Sequence, residues 1–206
     1  MLLDAAVLAI IVGLVAGGRF GRLNDLDLRA PGMFIAAAAV QAGLMVAGAR
    51  GAQWAGRVGP AVYVGTLAMV LVGLWWNRRL PGVWVVGVGV LLNFLVIAAN
   101  GGSMPVERGL AERAGDERMV RLLDSPTYTR HAPMSKGTRL RALGDVVALP
   151  MLIPRPKFFS PGSIGDVFVT AGACWLILAG MGAFGLRSGK TTGKIYLENH
   201  PRGKTL

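Results

Sequence analysis

Residues 58–100 read VGPAVYVGTLAMVLVGLWWNRRLPGVWVVGVGVLLNFLVIAAN. Two uncharged apolar blocks, 58–76 and 81–99, flank a turn that carries Asn77, Arg78 and Arg79. Each block has 19 residues, close to the ~20 that a helix needs to cross ~30 Å of hydrocarbon. Apolar residues do not alternate with polar ones as in a half-buried strand, nor do they leave a polar helical face. The short join predicts an antiparallel helical hairpin. Trp75, Trp76 and Trp84 fall near block ends, the depth that amphipathic indoles prefer.

Working outward, three more blocks of the same kind appear at 2–18, 31–49 and 167–186, bounded by Arg19, Arg29, Arg50 and Arg187. The first contains Gly13-x-x-x-Gly17, which permits close helix packing. It has no cationic stretch before it and no small-residue cleavage site after it, so it reads as a retained helix. Trp54 also lies at a block edge, whereas Trp175 lies inside the last block. The sequence predicts an all-α integral membrane protein of about five transmembrane helices, with one structured loop outside the cytoplasm between helices four and five. Its parts are a four-helix region (1–99), the loop (100–166), the fifth helix (167–186) and a basic cytoplasmic tail (187–206).

Composition agrees. Hydrophobic residues make up 53% of the chain and charged ones 16%, below the roughly 25% usual in soluble domains. Lys and Arg number 22 against 11 acids, a net charge of +11. The cations sit between the apolar blocks, where they set topology. No recognition motif accompanies them, so nucleic acid is not an expected partner. The single cysteine, Cys174, rules out an intrachain disulfide and a cysteine zinc cluster. No metal or cofactor is implied. The segments after blocks one and three, with the tail, carry ten cations; the segment after block two carries two. That bias predicts an outside N-terminus and a cytoplasmic C-terminus in a bacterial inner membrane.

The long loop holds the candidate chemistry. Within 105–124, Arg108/Glu112, Arg113/Glu117 and Glu117/Arg121 have helical i,i+4 spacing, and Val106, Leu110 and Ala114 share a stripe. A short surface helix is expected there. Residues 143–163 are apolar but carry Pro150, Pro154, Pro156 and Pro161, which forbid a spanning helix. Extended backbone on the membrane surface, or in a shallow re-entrant dip, is expected instead.

Gly144-Asp145 and Gly165-Asp166 flank this proline-rich segment. If it folds back, both carboxylates converge at one interface. One of two close carboxylates keeps its proton, and the pair can then activate water and protonate a leaving group. The structural alternative is equally open: Ser163-x-x-Asp166 before an apolar run resembles a capping box, and Asp145 fits a turn after Gly144. Asn100-Gly101-Gly102-Ser103 closes block four, either as an ordinary helix C-cap or with Asn100 and Ser103 contacting substrate. His131 is a possible base, or a solvated surface residue. Lys136, Arg139 and Arg141 suit lipid phosphates, and Asn93 suits a helix–helix hydrogen bond. Ser188-Gly189-Lys190-Thr191 lacks the glycine, strand and domain that a phosphate-binding loop requires.

The stretches Asn100-Gly-Gly-Ser-Met-Pro-Val106, Leu143-Gly-Asp-Val146 and Ser163-Ile-Gly-Asp-Val167, with Gly17-Gly18-Arg19 after the first helix, resemble an uncharacterised family of bacterial multi-pass membrane proteins. Leu143-Gly-Asp-Val-Val147 and Phe158-Phe159 up to Asp166 also resemble the end of the lipoprotein signal peptidases. That second resemblance implies an aspartyl peptidase with Asp145 and Asp166 as its catalytic pair. The Asn-x-Ala-Asp and Gly-Asn-x-x-Asp-Arg motifs of those enzymes are missing. The expected activity is interfacial hydrolysis of a lipid-linked or membrane-embedded substrate. The alternatives are a non-catalytic subunit or scaffold that packs a membrane protein partner, and a small-solute transporter.

Overall fold

The computed structural model describes residues 2–124, 130–150 and 159–185. Pro154, Pro156, Phe158 and the tail from Arg187, with its Ser188–Thr191 stretch, lie outside the described residues. Five apolar helices carry the fold: α1 (Leu2–Val15), α2 (Pro31–Ala49), α3 (Gln53–Trp76), α4 (Val83–Ala99) and, at the far end, α7 (Ile164–Met181). Between α4 and α7 come β1 (Met104–Val106), α5 (Arg108–Arg113), α6 (Glu117–Leu123), β2 (His131–Pro133), β3 (Val147–Pro150) and β4 (Phe159–Gly162).

By length and composition α2, α3 and α7 can each cross a membrane, while α1 and α4 are shorter apolar helices of 14 and 17 residues. Leu3, Val15, Ile35 and many other large apolar side chains stand exposed on their outer faces, as lipid-facing residues do. The α3 helix begins at Gln53 and carries Pro60 inside it. The expected start at 58 was too late, because the uncharged block stops at Arg57 while the helix continues through that charge to Gln53. The last helix starts at Ile164 rather than 167, since Ser163 caps it.

The all-α expectation needs correction between the membrane-length helices. β1 pairs in parallel with β2, and β3 pairs antiparallel with β4, as two separate two-stranded sheets. These strands have three or four residues each, too short to show a period in sequence. The expected single surface helix is also two: Gly115 takes φ +64° between α5 and α6, and Val106 belongs to β1. Leu110 and Ala114 are buried as their stripe implies. Arg108–Glu112 and Arg121–Glu117 form, at 2.8 and 3.2 Å, while Arg113 turns to Glu107 at 3.5 Å. Arg108 also clasps Asp124, and the guanidinium holds that carboxyl below its usual range.

Packing runs in the order α2–α3–α4–α7–α1, with α4 against α7 the most extensive contact. That seam is made by glycine. A Cβ on Gly89 would overlap the Gly165 carbonyl, and one on Gly172 would overlap the Gly82 carbonyl. Both helices space these glycines seven residues apart, so their backbones touch at two levels. Gly13 meets the Met181 side chain and Gly18 the Met181 Cβ and carbonyl, and Cys174 Sγ sits 3.6 Å from the Ala5 carbonyl oxygen as a packing residue of the α1–α7 seam. Gly82 also lies against Trp175. Trp175 therefore packs beside the start of α4, near which the Trp75 and Trp84 rings meet edge to face at 5.8 Å.

Because Gly89 meets Gly165, α7 begins beside the middle of α4. The last ten residues of α4 run on past it, and the β segments fill the space above α7. Val96, Ile97 and Met104 form the core there, packed by Tyr63, Val64, Leu67 and Leu143. The loop is thus seated along the helices rather than laid over their ends.

Candidate functional site

Three devices fix the loop. Asn100 is the first: its Nδ2 donates to the Val96 and Arg139 carbonyls, at 2.7 and 2.9 Å, and its Oδ1 accepts from the Arg139 amide at 2.9 Å. The expected substrate-orienting amide is turned onto backbone. Gly101 and Gly102 take φ +68° and +85°, and Gly102 lies against Pro60, so the tight turn brings Ser103 and β1 back toward α3. The second device is β1. The Arg130 carbonyl accepts from Met104 N at 2.7 Å, fixing β2, while Asp145 N donates to the Pro105 carbonyl at 2.8 Å and Glu107 N to the Asp145 carbonyl at 3.1 Å. One short strand therefore holds His131 on one side and Asp145 on the other.

The third device is the start of α7. The Ser163 hydroxyl accepts from Asp166 N and donates to Asn93 Oδ1, at 3.0 and 2.8 Å. The Asp166 carboxylate accepts from Ser163 N at 3.0 Å and from Asn93 Nδ2 at 2.9 Å. This is a complete capping box tied to the neighbouring helix. Asn93 makes the expected helix–helix bond, and Asp166 is held on its own helix end.

Asp145 is different. It is 4% exposed, and its Oδ1 has no hydrogen-bond partner among the described residues. Its Oδ2 lies 3.8 Å from His131 Nε2, longer than a hydrogen bond. Burial pushes the Asp145 carboxyl up to about 7, and the Asp166 charge adds to it. Burial likewise drives His131 down to about 4; the nearby Arg130 charge adds to this and Asp166 opposes it. Burial opposes both charges, so the contact is between neutral groups from about pH 4 to 7. The pair holds one proton there, carried by Asp145. A carboxyl that titrates near neutral pH can donate or accept a proton at little cost.

The two aspartates thus share an electrostatic neighbourhood but have different partners. Sequence reading missed Arg130, whose charge acts on His131, and the Tyr63, Gln41 and Thr66 side chains gathered at that guanidinium. Gln41 Nε2 donates to Thr66 Oγ1 at 3.0 Å, Arg130 Nη1 donates to Gln41 Oε1 at 3.3 Å, and the guanidinium stands 5.8 Å from the Tyr63 ring centre. The available signal was Gln41 and Thr66, isolated polar residues inside apolar blocks. Among the described residues no three His, Cys, Asp or Glu side chains gather as metal ligands.

Helices of membrane-crossing length, with a polar loop folded along them, define a helical membrane protein. The sequence places it more narrowly: the profile described as a family of unknown function, DUF5317, matches residues 25–178, and the chain belongs to that family. The match takes in every site residue named above and leaves out α1. A Thermotoga maritima protein described as uncharacterized is 27% identical over 107 residues, covering 52% of this chain and 56% of that protein. The chain therefore spans about half the length of that curated relative. No solved structure matches. None of these similarities links the chain to the lipoprotein signal peptidases.

Proposed function

We propose that this is a five-span inner-membrane protein whose loop forms an interfacial acid–base centre, and that the centre hydrolyses a lipid-linked or membrane-embedded substrate. Asp145 is the proton-carrying group, His131 its neutral partner, and Asp166 a fixed charge that keeps Asp145 protonated to higher pH. The carrying observation is the buried Asp145 carboxyl, raised to about 7, with one oxygen unpartnered among the described residues. A strongly perturbed carboxyl beside a second titratable group is a candidate functional site. The two-aspartate scheme changes in one respect. Asp166 serves by field and position, because both its oxygens already accept hydrogen bonds.

The test compares membrane lipids and protein N-termini in cells lacking the chain with cells complemented by wild type, Asp145→Asn or His131→Gln. A species that accumulates in the deletion strain, clears with wild type and persists with Asp145→Asn at equal protein level supports hydrolysis. Full complementation by Asp145→Asn sinks it.

The capping box favours a second reading, a non-catalytic membrane subunit in which the polar network only locks the loop to α4 and α7. In that case Asp166→Asn lowers stability, Asp145→Asn leaves the membrane inventory unchanged, and a co-purifying membrane protein is lost only when the fold is lost.

A further inference from the structure

We infer that Arg130 is an anion-recognition residue, and that the ligand it takes is a phosphate group presented from the bilayer. Its role in turnover rests on the acid–base reading above; its role in binding does not.

Three arginines described in the loop face carboxylates: Arg108 faces Glu112 and Asp124, Arg113 faces Glu107, and Arg121 faces Glu117. Arg130 instead faces Gln41 Oε1 at 3.3 Å, the Met45 sulfur at 3.8 Å and the Tyr63 ring. All three are neutral. Among the described residues no carboxylate pairs with it: Asp145 holds its proton up to about pH 7, and Asp166 is bonded to Ser163 and Asn93.

Its place in the fold sharpens the point. Arg50 and Arg57 mark the charged end of the α2–α3 hairpin. Tyr63 lies six residues inside Arg57, about 9 Å along the helix, and Gln41 lies nine residues inside Arg50. A cation that far within the hairpin is costly without an anion. It is also well held: its backbone carbonyl is fixed by Met104 N, and the Gln41 that receives it is itself fixed by Thr66. A planar guanidinium held from two sides is pre-organised for a phosphate or carboxylate. Beside lipid-facing helices, the phosphate of a lipid-type molecule is the anion at hand, and the Arg130 charge acts on His131, the neighbour of Asp145.

The test uses the full chain in phosphatidylcholine nanodiscs. Short-chain phosphatidylglycerol, glycerol 3-phosphate and inorganic phosphate are titrated separately, and bound ligand is counted by native mass spectrometry and equilibrium dialysis. Saturable binding of phosphatidylglycerol is expected, weakened about tenfold or more by Arg130→Gln and less by Arg130→Lys. Binding by glycerol 3-phosphate or inorganic phosphate with the same loss assigns the site to the headgroup phosphate alone. Asp145→Asn should bind like wild type, so failure of the hydrolytic reading leaves this one standing. Should Arg130→Gln unfold, Gln41→Leu removes the holder and is expected to weaken binding severalfold. Equal affinity of wild type, Arg130→Lys and Arg130→Gln for every probe overturns the inference, as does the lack of saturable binding by wild type.

Discussion

Asn77 and Asn100 end α3 and α4 with one shared device. Each Nδ2 donates to the carbonyl four residues earlier, Gly73 or Val96, and to a distant loop carbonyl, Arg29 or Arg139; each Oδ1 accepts that loop residue's amide. A side-chain amide thus pairs with backbone as a strand would. Aspartate has the same shape but no donor, and would set an oxygen against two carbonyls. Asn77→Asp is expected to cost roughly 2–4 kcal/mol and Asn100→Asp less, because Asn77 is buried and Asn100 half-exposed; thermal melting in detergent measures both. The Asp145–His131 pair makes a sharper prediction. From ordinary values of 3.8 and 6.5, Asp145 rises to about 7 and His131 falls to about 4. Alone, a raised carboxyl stabilises the fold at low pH and loses that advantage as pH climbs from about 3.8 to 7. Alone, a lowered histidine destabilises below about 4 and is relieved by 6.5. Between 4 and 6.5 folded and unfolded chains each hold one proton on the pair, so the slopes cancel. Wild type should therefore melt at nearly constant temperature over that range. His131→Gln should lose stability as pH rises, and Asp145→Asn should gain it. Parallel profiles for the two variants would separate the groups.

The α4–α7 seam carries the element-scale argument. Two backbones that meet at Gly89–Gly165 and Gly82–Gly172 leave no room for a methyl group. Gly165→Ala would also strike Asn93 Oδ1, so it strains the seam and the capping network together. A loss of about 1–3 kcal/mol is expected. Gly87 has open space around its Cβ position, and Gly87→Ala should be neutral or gain up to about 1 kcal/mol from helix propensity. Equal melting temperatures for the two variants would mean that the seam is not the tight contact of the bundle. The helices were legible in sequence because a long uncharged run admits few other structures. The Ser163–Asp166 cap was legible because its signature is local. The glycine seam was not: 30 glycines are interchangeable in sequence, and only the fold says which two face which two. The short sheets escaped for a related reason, since Met104-Pro-Val gains its strand character from Arg130 and Asp145, far along the chain.

At the scale of the whole molecule, the site exists because the loop packs against the helices it connects. Asp145, Asp166 and His131 were each visible as isolated polar residues. Their surroundings were not, because Arg130 meets Gln41 across 89 residues and Asn93 meets Asp166 across 73. Those same contacts constrain topology. Arg130 is tied to α2 through Gln41, and Arg139 to the end of α4 through Asn100, so in the proposed five-span arrangement the loop and the α2–α3 turn share one side. Arg29 is tied to Asn77, so the segment after α1 and the α3–α4 turn belong together. If α3 crosses, these two groups are on opposite sides, and the orientation expected from the cation bias has the second inside. In a Cys174→Ala background, Gln53→Cys and Ser135→Cys should react with a membrane-impermeant thiol reagent on intact cells, while Asn24→Cys reacts only after permeabilisation. Labelling of Ser135→Cys and Asn24→Cys from the same face would remove the crossing of α3 and, with it, the five-span arrangement on which an interfacial site depends.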